Sequence, residues 1–408
     1  MANDLVPMHI VAVCQVFYPD SQSTSQLLTD LFQELAGESV EITVITGYTA
    51  KKDGAFPPRR EMLGNVEIRR TGIAIGYKTS LWLRGLHYFC YVVGSTGELW
   101  KLRKSSLVFG ITNPPFTPVW LWLLSFLFLG RYQVMLQDIY PDGLVAIGSW
   151  KPDGVFARLW RAANRRALQK AERVLILGRD MGELLESVYA VSPDRITYVP
   201  HWSLLPATEP IPVEKTQMLE KLGLQKKFIV QYSGNMGLWH DIDSIVQAAA
   251  KLKDRPDIHF LLIGGGVRRA EAQQLSEQLQ LRNMTWYPFQ PKESLHDSLS
   301  CCHVALISQR EGLKGVAVPC KLYGILASGR AVLAMVPAGS EIDLTVREED
   351  CGRIIRPGNV DGLVSAILEL AGNRPLLAQM DQNAFRACQQ KYTLSAAVPK
   401  FRAIWGLP

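Results

Sequence analysis

The chain has 408 residues. That is too long for one ordinary hydrophobic core and predicts two domains of about 200 residues each. Hydrophobic residues at 48% and charged residues at 20% exclude a disordered chain. A net charge of +6 is too mild for a nucleic-acid binder, so no nucleic-acid partner is expected.

The start, "MANDLVPMHIVAVCQVFYP", has no basic segment ahead of its apolar run and reads as a first strand, not a secretory leader. "STSQLLTDLFQELA" (23–36) places Leu27, Leu28, Leu31, Phe32 and Leu35 at helical spacing, with Ser23 or Thr24 as N-cap. "VEITVITG" (40–47) is the next strand, and strand, helix, strand at this spacing predicts a βαβ unit on a parallel sheet. Residues 1–50 hold six acids and no Lys or Arg, whereas residues 51–104 hold eleven Lys and Arg against four acids. That local excess suits phosphates, an anionic membrane, or a solvated surface. Further strands fall in "SSLVFGITNPPF" (105–116), "RYQVMLQDIYPDG" (131–143), "AERVLILG" (171–178) and "DRITYVPHW" (194–202).

Two apolar stretches stand out in this half. "PVWLWLLSFLFL" (118–129) reaches about 18 Å as a helix, short of a hydrocarbon core of about 30 Å. It is read as a helix packed on the sheet or in shallow membrane contact. "RGLHYFCYVVGSTGELW" (84–100) is a second contact candidate. "RLWRAANRRALQKAER" (158–173), with six basic residues and one acid, reads as a solvated face or as a stripe for anionic lipid.

"PATEPIPVEKTQ" (206–217) reads as an interdomain linker. The strand–helix pattern then restarts. "KFIVQYSGNMG" (227–237) and "IHFLLIGGG" (258–266) are strands ending in Gly loops, followed by helices at 241–252 and 268–280. Short strands follow at 284–289, 303–308, 330–335 and 351–357, so the second half is also doubly wound. "SGNMG" between strand and helix suits an anion. "IGGG" lacks the third Gly and the downstream acid of a dinucleotide fingerprint. Asp241 of "DID" reads as a helix-start acid, and no metal is expected. Seven scattered Cys without metal or redox spacing suggest reduced thiols and a cytoplasmic protein, with a peripheral seat on the membrane's inner face left open.

The ordered set "YSGNMGLWHDIDSIVQAAAKL", "IHFLLIGGGVRRAEAQQLSEQL", "MTWYPFQPKESLHDSLSCCHVALIS" and "VPCKLYGILASGRAVLA" resembles the donor half of retaining glycosyltransferases of family 4. "QVFYPDSQSTSQLLTDLFQELA", "TNPPFTPVWLWLL" and "VMLQDIYPDG" resemble the exopolysaccharide, O-antigen and colanic-acid branch. The resemblance implies an α/β GT-B fold, with two Rossmann-like domains facing each other across a cleft. Residues 1–205 would bind acceptor and 206–391 donor, with residues 392–408 returning to the first domain.

The resemblance also implies site residues. Gly234 matches the family's phosphate-loop Gly, followed here by Asn235, Met236 and Gly237. Asn235 and His240 stand where the family has Arg and Lys, so both fixed charges of the clamp are missing. Aligned on Gly329, the family's two helix glutamates fall on Val316 and Gly324. Lys321 of "PCK" is the substitute cation, Leu322 and Tyr323 follow it at the helix start, and Glu311 would reach the donor sugar through a longer loop. Gly264, Phe289 and Gln290 complete the expected donor site. Asp20, Ser21, Ser23, Thr24 and Gln137 are the expected acceptor contacts, and Asp138 would orient the acceptor or act as base.

These features imply a metal-independent hexosyltransferase using a UDP- or GDP-sugar as substrate, with no cofactor. The acceptor would be a saccharide, lipid-linked, in cell-surface polysaccharide synthesis. A sugar-nucleotide epimerase of the same fold and a non-catalytic nucleotide-binding scaffold are the alternatives.

Overall fold

The structure is a computed structural model and describes residues 7–49, 54–73, 81–206 and 208–407. The first six residues of the predicted leading segment, and Lys51 and Lys52 of the basic stretch, lie outside these. The chain divides into two compact units. One comprises residues 1–142, 151–200 and 394–408; the other comprises 143–150 and 201–393. This cut departs from a break at 205 and 206. His201 and Trp202 are already buried in the second unit, where the His201 ring meets Tyr323 edge-on at 6.2 Å.

The first unit holds β1 (Met8–Val13), α1 (Ser23–Leu35), β2 (Val40–Gly47), β3 (Arg60–Leu63), β4 (Val66–Thr71) and α2 (Leu81–Lys101). It continues with β5 (Leu107–Ile111), α3 (Thr117–Ser125) and β6 (Tyr132–Leu136). α4 (Asp142–Ala146) contains the division, and α5 (Val155–Lys170), β7 (Arg173–Ile176), α6 (Arg179–Ser187) and β8 (Ile196–Tyr198) follow. The eight strands are ordered β3-β4-β2-β1-β5-β6-β7-β8, parallel except for the β3–β4 pair. β-branched runs fill the central strands because both faces are covered. On β5 the alternation is visible. Gly110 lies under Leu121 of α3, while Phe109 meets Phe401 and Trp405 from the C-terminal helix on the other face.

The second unit holds α7 (Gln217–Leu222), β9 (Phe228–Asn235), α8 (Asp243–Lys251), β10 (Ile258–Gly265), α9 (Arg269–Gln278), β11 (Met284–Tyr287) and α10 (Leu295–Ser300). β12 (Val304–Ser308), α11 (Lys321–Ala327), β13 (Ala331–Met335), α12 (Glu341–Glu348), β14 (Gly352–Ile355), α13 (Val360–Gly372) and α14 (Arg374–Lys391) complete it. α15 (Leu394–Trp405) belongs to the first unit and packs on α1. The six parallel strands are ordered β11-β10-β9-β12-β13-β14, the doubly wound arrangement whose order reverses between β9 and β12. In the first unit the order reverses between β1 and β5.

Three local expectations are corrected. Ser23 and Thr24 do not cap α1: they occupy its first turn, the cap position is Gln22, and no side chain closes it. The basic excess around 59–70 is satisfied internally, since Arg69 pairs with Glu67 and Glu98, and buried Arg70 with Glu61. The segment at 118–129 is only half a core helix: Trp120, Leu121 and Leu124 are buried, while Leu123, Phe126 and Leu127 are exposed.

Candidate functional site

The strand-order reversal in the second unit places two loops side by side, one after β9 and one after β12. Gly234 and Gly264 are register partners on β9 and β10, with φ of +133° and +132°. A Cβ at Gly264 would stand 2.0 Å from the Gly234 carbonyl. Gly264 therefore gives room to its neighbouring strand.

Lys321, the first residue of α11, reaches the same place. Its Nζ would stand 3.5 Å from a Cβ at Gly234. It donates to the Tyr232 hydroxyl at 2.6 Å and lies 3.8 Å from that ring's centre. Tyr232 in turn donates to the Asn235 carbonyl at 2.8 Å. Burial pulls the Lys321 ammonium down to about 7. Tyr232, 89 residues away in sequence, is the partner that sequence reading misses.

His240 is not a second cation. Its Nδ1 accepts the Gly237 N–H at 3.1 Å, which puts its proton on Nε2. Burial, then the charge of Lys321, hold it down at about 3. Met236, Leu322 and Tyr323 turn their side chains into the core, so none of the three presents a side chain beside the glycine pair. Asn235 is exposed at the loop tip. The Phe289 ring, largely exposed, lies over Gly265, where a Cβ would meet it at 3.2 Å. Gln290 folds back on its own loop through Pro288. Arg269, passed over in the sequence, donates to the Gly264 carbonyl at 2.6 Å and adds a guanidinium beside the glycine pair.

The loop after β12 is held firmly. The Arg310 N–H donates to the Trp239 carbonyl at 2.9 Å, and the Gln309 side chain donates to the Ala317 carbonyl at 3.0 Å. Glu311 is thereby fixed next to the segment carrying His240, with its carboxylate exposed. Val316, where alignment on Gly329 puts a glutamate, is a core residue. Asp241 closes the start of α8, taking the Ser244 N–H at 3.2 Å and the Gly358 N–H at 3.1 Å. Among the described residues no three His, Cys, Asp or Glu side chains gather into a metal-holding group.

In the first unit the loops after β1 and β5 are joined by the Gln15 N–H donating to the Asn113 carbonyl at 2.7 Å. Asp20 accepts the Gln22 N–H at 2.8 Å, a turn bond at the entry to α1. The hydroxyls of Ser21, Ser23 and Thr24 lie along this turn and first helical residues. Past β6, the Gln137 N–H donates to the Thr112 hydroxyl at 2.8 Å, aligning that loop with the one after β5. The two acids of "QDIYPDG" then differ. Asp142 is committed to structure, bonded by Arg161 at 2.9 Å and by the Tyr189 hydroxyl. Among the described residues Asp138 has no such partner, and burial pushes its carboxyl up to about 7.

Residues 214–387 match the family model described as glycosyl transferases group 1. A protein assigned to colanic acid biosynthesis as a glycosyl transferase, WcaI of Escherichia coli, is 25% identical over 366 residues, covering 86% of this chain and 89% of its own. Sucrose-phosphate synthase of Thermosynechococcus elongatus superposes with a TM-score of 0.78 at 15% identity, covering 98% of each chain. HepE of Anabaena in complex with UDP superposes with a TM-score of 0.71 at 13% identity, covering 98% of this chain and 100% of its own.

Proposed function

We propose, from the premise that the chain belongs to the glycosyl transferases group 1 family and has the GT-B fold, that it moves a hexosyl group from a UDP- or GDP-sugar to a saccharide hydroxyl. The acceptor is lipid-linked and the product belongs to cell-surface polysaccharide on the cytoplasmic side. The second unit binds donor and the first binds acceptor.

The observation that carries this reading is Lys321 beside Gly234. A diphosphate leaving group needs positive charge, and the loop itself supplies none. Lys321 uses one N–H on Tyr232 and keeps two for phosphate oxygens. Arg269 is the second cation in reach of the glycine pair. Phe289 offers an exposed ring for the base. A uridine nucleotide is favoured because HepE, of the same fold, holds UDP.

In the reaction the bond from the anomeric carbon to the diphosphate oxygen breaks, and a bond to the acceptor oxygen forms. Lys321 stabilises the charge that develops on the leaving oxygen. Asp138 orients the acceptor hydroxyl and takes its proton, and its raised carboxyl is matched to neutral pH. Glu311 faces the donor sugar. Configuration at the anomeric carbon is retained.

Calorimetric titration with UDP, GDP and their sugars tests the reading. One nucleotide family should bind, and Lys321→Ala should weaken it. Product formation that needs an acceptor separates transfer from epimerisation, which needs none. Binding of no nucleotide at all would overturn the donor-site assignment, and binding without turnover in the presence of acceptors would favour a scaffold.

A further inference from the structure

α2, α3 and α5 cover one side of the eight-stranded sheet. α3 lies over Gly110, and α2 is tied to it by the Trp120 indole N–H donating to the Thr96 hydroxyl at 3.1 Å. α5 packs along α3. α2 turns His87, Tyr91, Ser95 and Leu99 inward, and its outer stripe carries Phe89, Val93 and Trp100. A surface helix ordinarily puts charge on its outer face. Here Phe89 is 66% exposed, Phe126 67% and Leu127 73% just past α3, and Phe156 76% and Leu159 63% on α5. More than half of the exposed large hydrophobics among the described residues lie on these three helices and the turn after α3. That concentration marks an interaction surface, not scattered exposure.

The charge around it is mainly basic, with exposed Asp153 ahead of α5 and with Glu98 of α2 held by Arg69 and Lys101. α5 carries Arg158, Arg161, Arg165, Arg166 and Lys170 and no acid. Arg161 is taken by Asp142, but Arg158, Arg166 and Lys170 stand exposed. At the end of α2, Arg103 lies over the Trp100 ring at 4.9 Å with exposed Lys104 beside it. We propose that this face docks on an anionic lipid bilayer. An apolar strip with basic residues at its rim matches acyl chains below and phosphate headgroups above. A second copy would set one mainly basic rim against another, with Asp153 as the exposed acid beside α5. Among the described residues no helix is long and apolar enough to cross a membrane, and α3 spans only about 14 Å, so contact is interfacial. The inference deepens the lipid-linked-acceptor reading and rests on it for its purpose, while its evidence is the exposed face itself.

The test is sedimentation of the full chain with vesicles of phosphatidylcholine and phosphatidylglycerol in equal parts, against phosphatidylcholine alone. The chain should follow the mixed vesicles. The double variants Phe126→Ser with Leu127→Ser, and Phe156→Ser with Leu159→Ser, should each weaken binding about tenfold. Arg158→Gln with Arg166→Gln should weaken it about twentyfold on mixed vesicles only. Melting temperature and nucleotide titration should stay unchanged in all of them. No sedimentation of the wild type, vesicle binding by the serine variants equal to wild type, or a dimer that the same variants dissolve would each overturn the proposal. Because nucleotide binding is measured separately, failure at the bilayer leaves the transferase reading intact, and failure at the nucleotide leaves the bilayer proposal intact.

Discussion

Lys321 and Tyr232 form a single unit: the ammonium is bonded to the phenol at 2.6 Å and stands 3.8 Å from the centre of its ring. The aromatic face and the hydroxyl together hold a cation whose burial pulls it down to about 7. Lys321→Ala should therefore weaken nucleotide diphosphate binding about 10–100-fold, the range for a charged hydrogen bond. Tyr232→Phe, which keeps the ring and removes the hydroxyl, should weaken it less. Calorimetry on the folded variants checks both.

The same residue predicts a pH dependence. Above about pH 7 the free protein loses the Lys321 proton, while a bound diphosphate favours keeping it. Affinity should then fall by up to about tenfold per pH unit between about pH 7 and 9. The Lys321→Ala variant should be flat over that range. A wild-type profile equally flat would remove Lys321 from the donor site.

Asp138→Asn keeps the shape of the carboxyl and removes its basicity. Transfer should drop about 10²–10⁴-fold, while donor binding changes by less than about twofold. In the wild type, transfer should fall as pH drops below about 7, where the carboxyl gains its proton. Single-turnover rates paired with donor titration separate the two quantities.

Neighbouring glycines should respond differently. Gly264→Ala sets a Cβ 2.0 Å from the Gly234 carbonyl at a φ of +132° and should destabilise the second unit by about 3 kcal/mol or more. Gly265→Ala meets only the edge of the exposed Phe289 ring at 3.2 Å. It should leave stability within about 1 kcal/mol and alter nucleotide affinity instead. Denaturant unfolding and nucleotide titration on both variants distinguish fold from site.

Acid should unfold the chain early. Burial lowers the basicity of all seven histidines, with His201, His259 and His303 held at about 4 and His240 at about 3. Between those values and 6.5 the unfolded chain binds protons that the folded chain refuses, so stability falls as pH falls. Asp138 and Asp381, raised to about 7 and about 6, oppose this by holding protons in the folded state. Near pH 5 the histidines outweigh them, unfolding takes up roughly two protons, and stability drops by about 3 kcal/mol per pH unit. Denaturant midpoints across that range check the slope.

The elements were legible where apolar periodicity is strong. "VEITVITG" reads as a strand over 40–47 and is one, and the leucine stripe of α1 is buried as its spacing implies. The β3–β4 hairpin was not legible, because its strands are short and half of their residues, Arg60, Glu61, Glu67, Arg69 and Arg70, are charged. At the proposed donor site, the Gly loop and Lys321 are the parts visible in residue type and order. Leu322 and Tyr323 were placed beside Lys321 by adjacency, yet on a short helix adjacent residues face different ways, and both belong to the core.

The sequence by itself determined two doubly wound halves and the glycine turns, because strand periodicity and turn chemistry are local. Only the tertiary structure decided where the charge of Lys321 sits, which of two nearby aspartates is bonded by Arg161 and Tyr189, and which apolar helix faces stay in water. Those depend on partners distant in the chain and on burial, which no local pattern encodes.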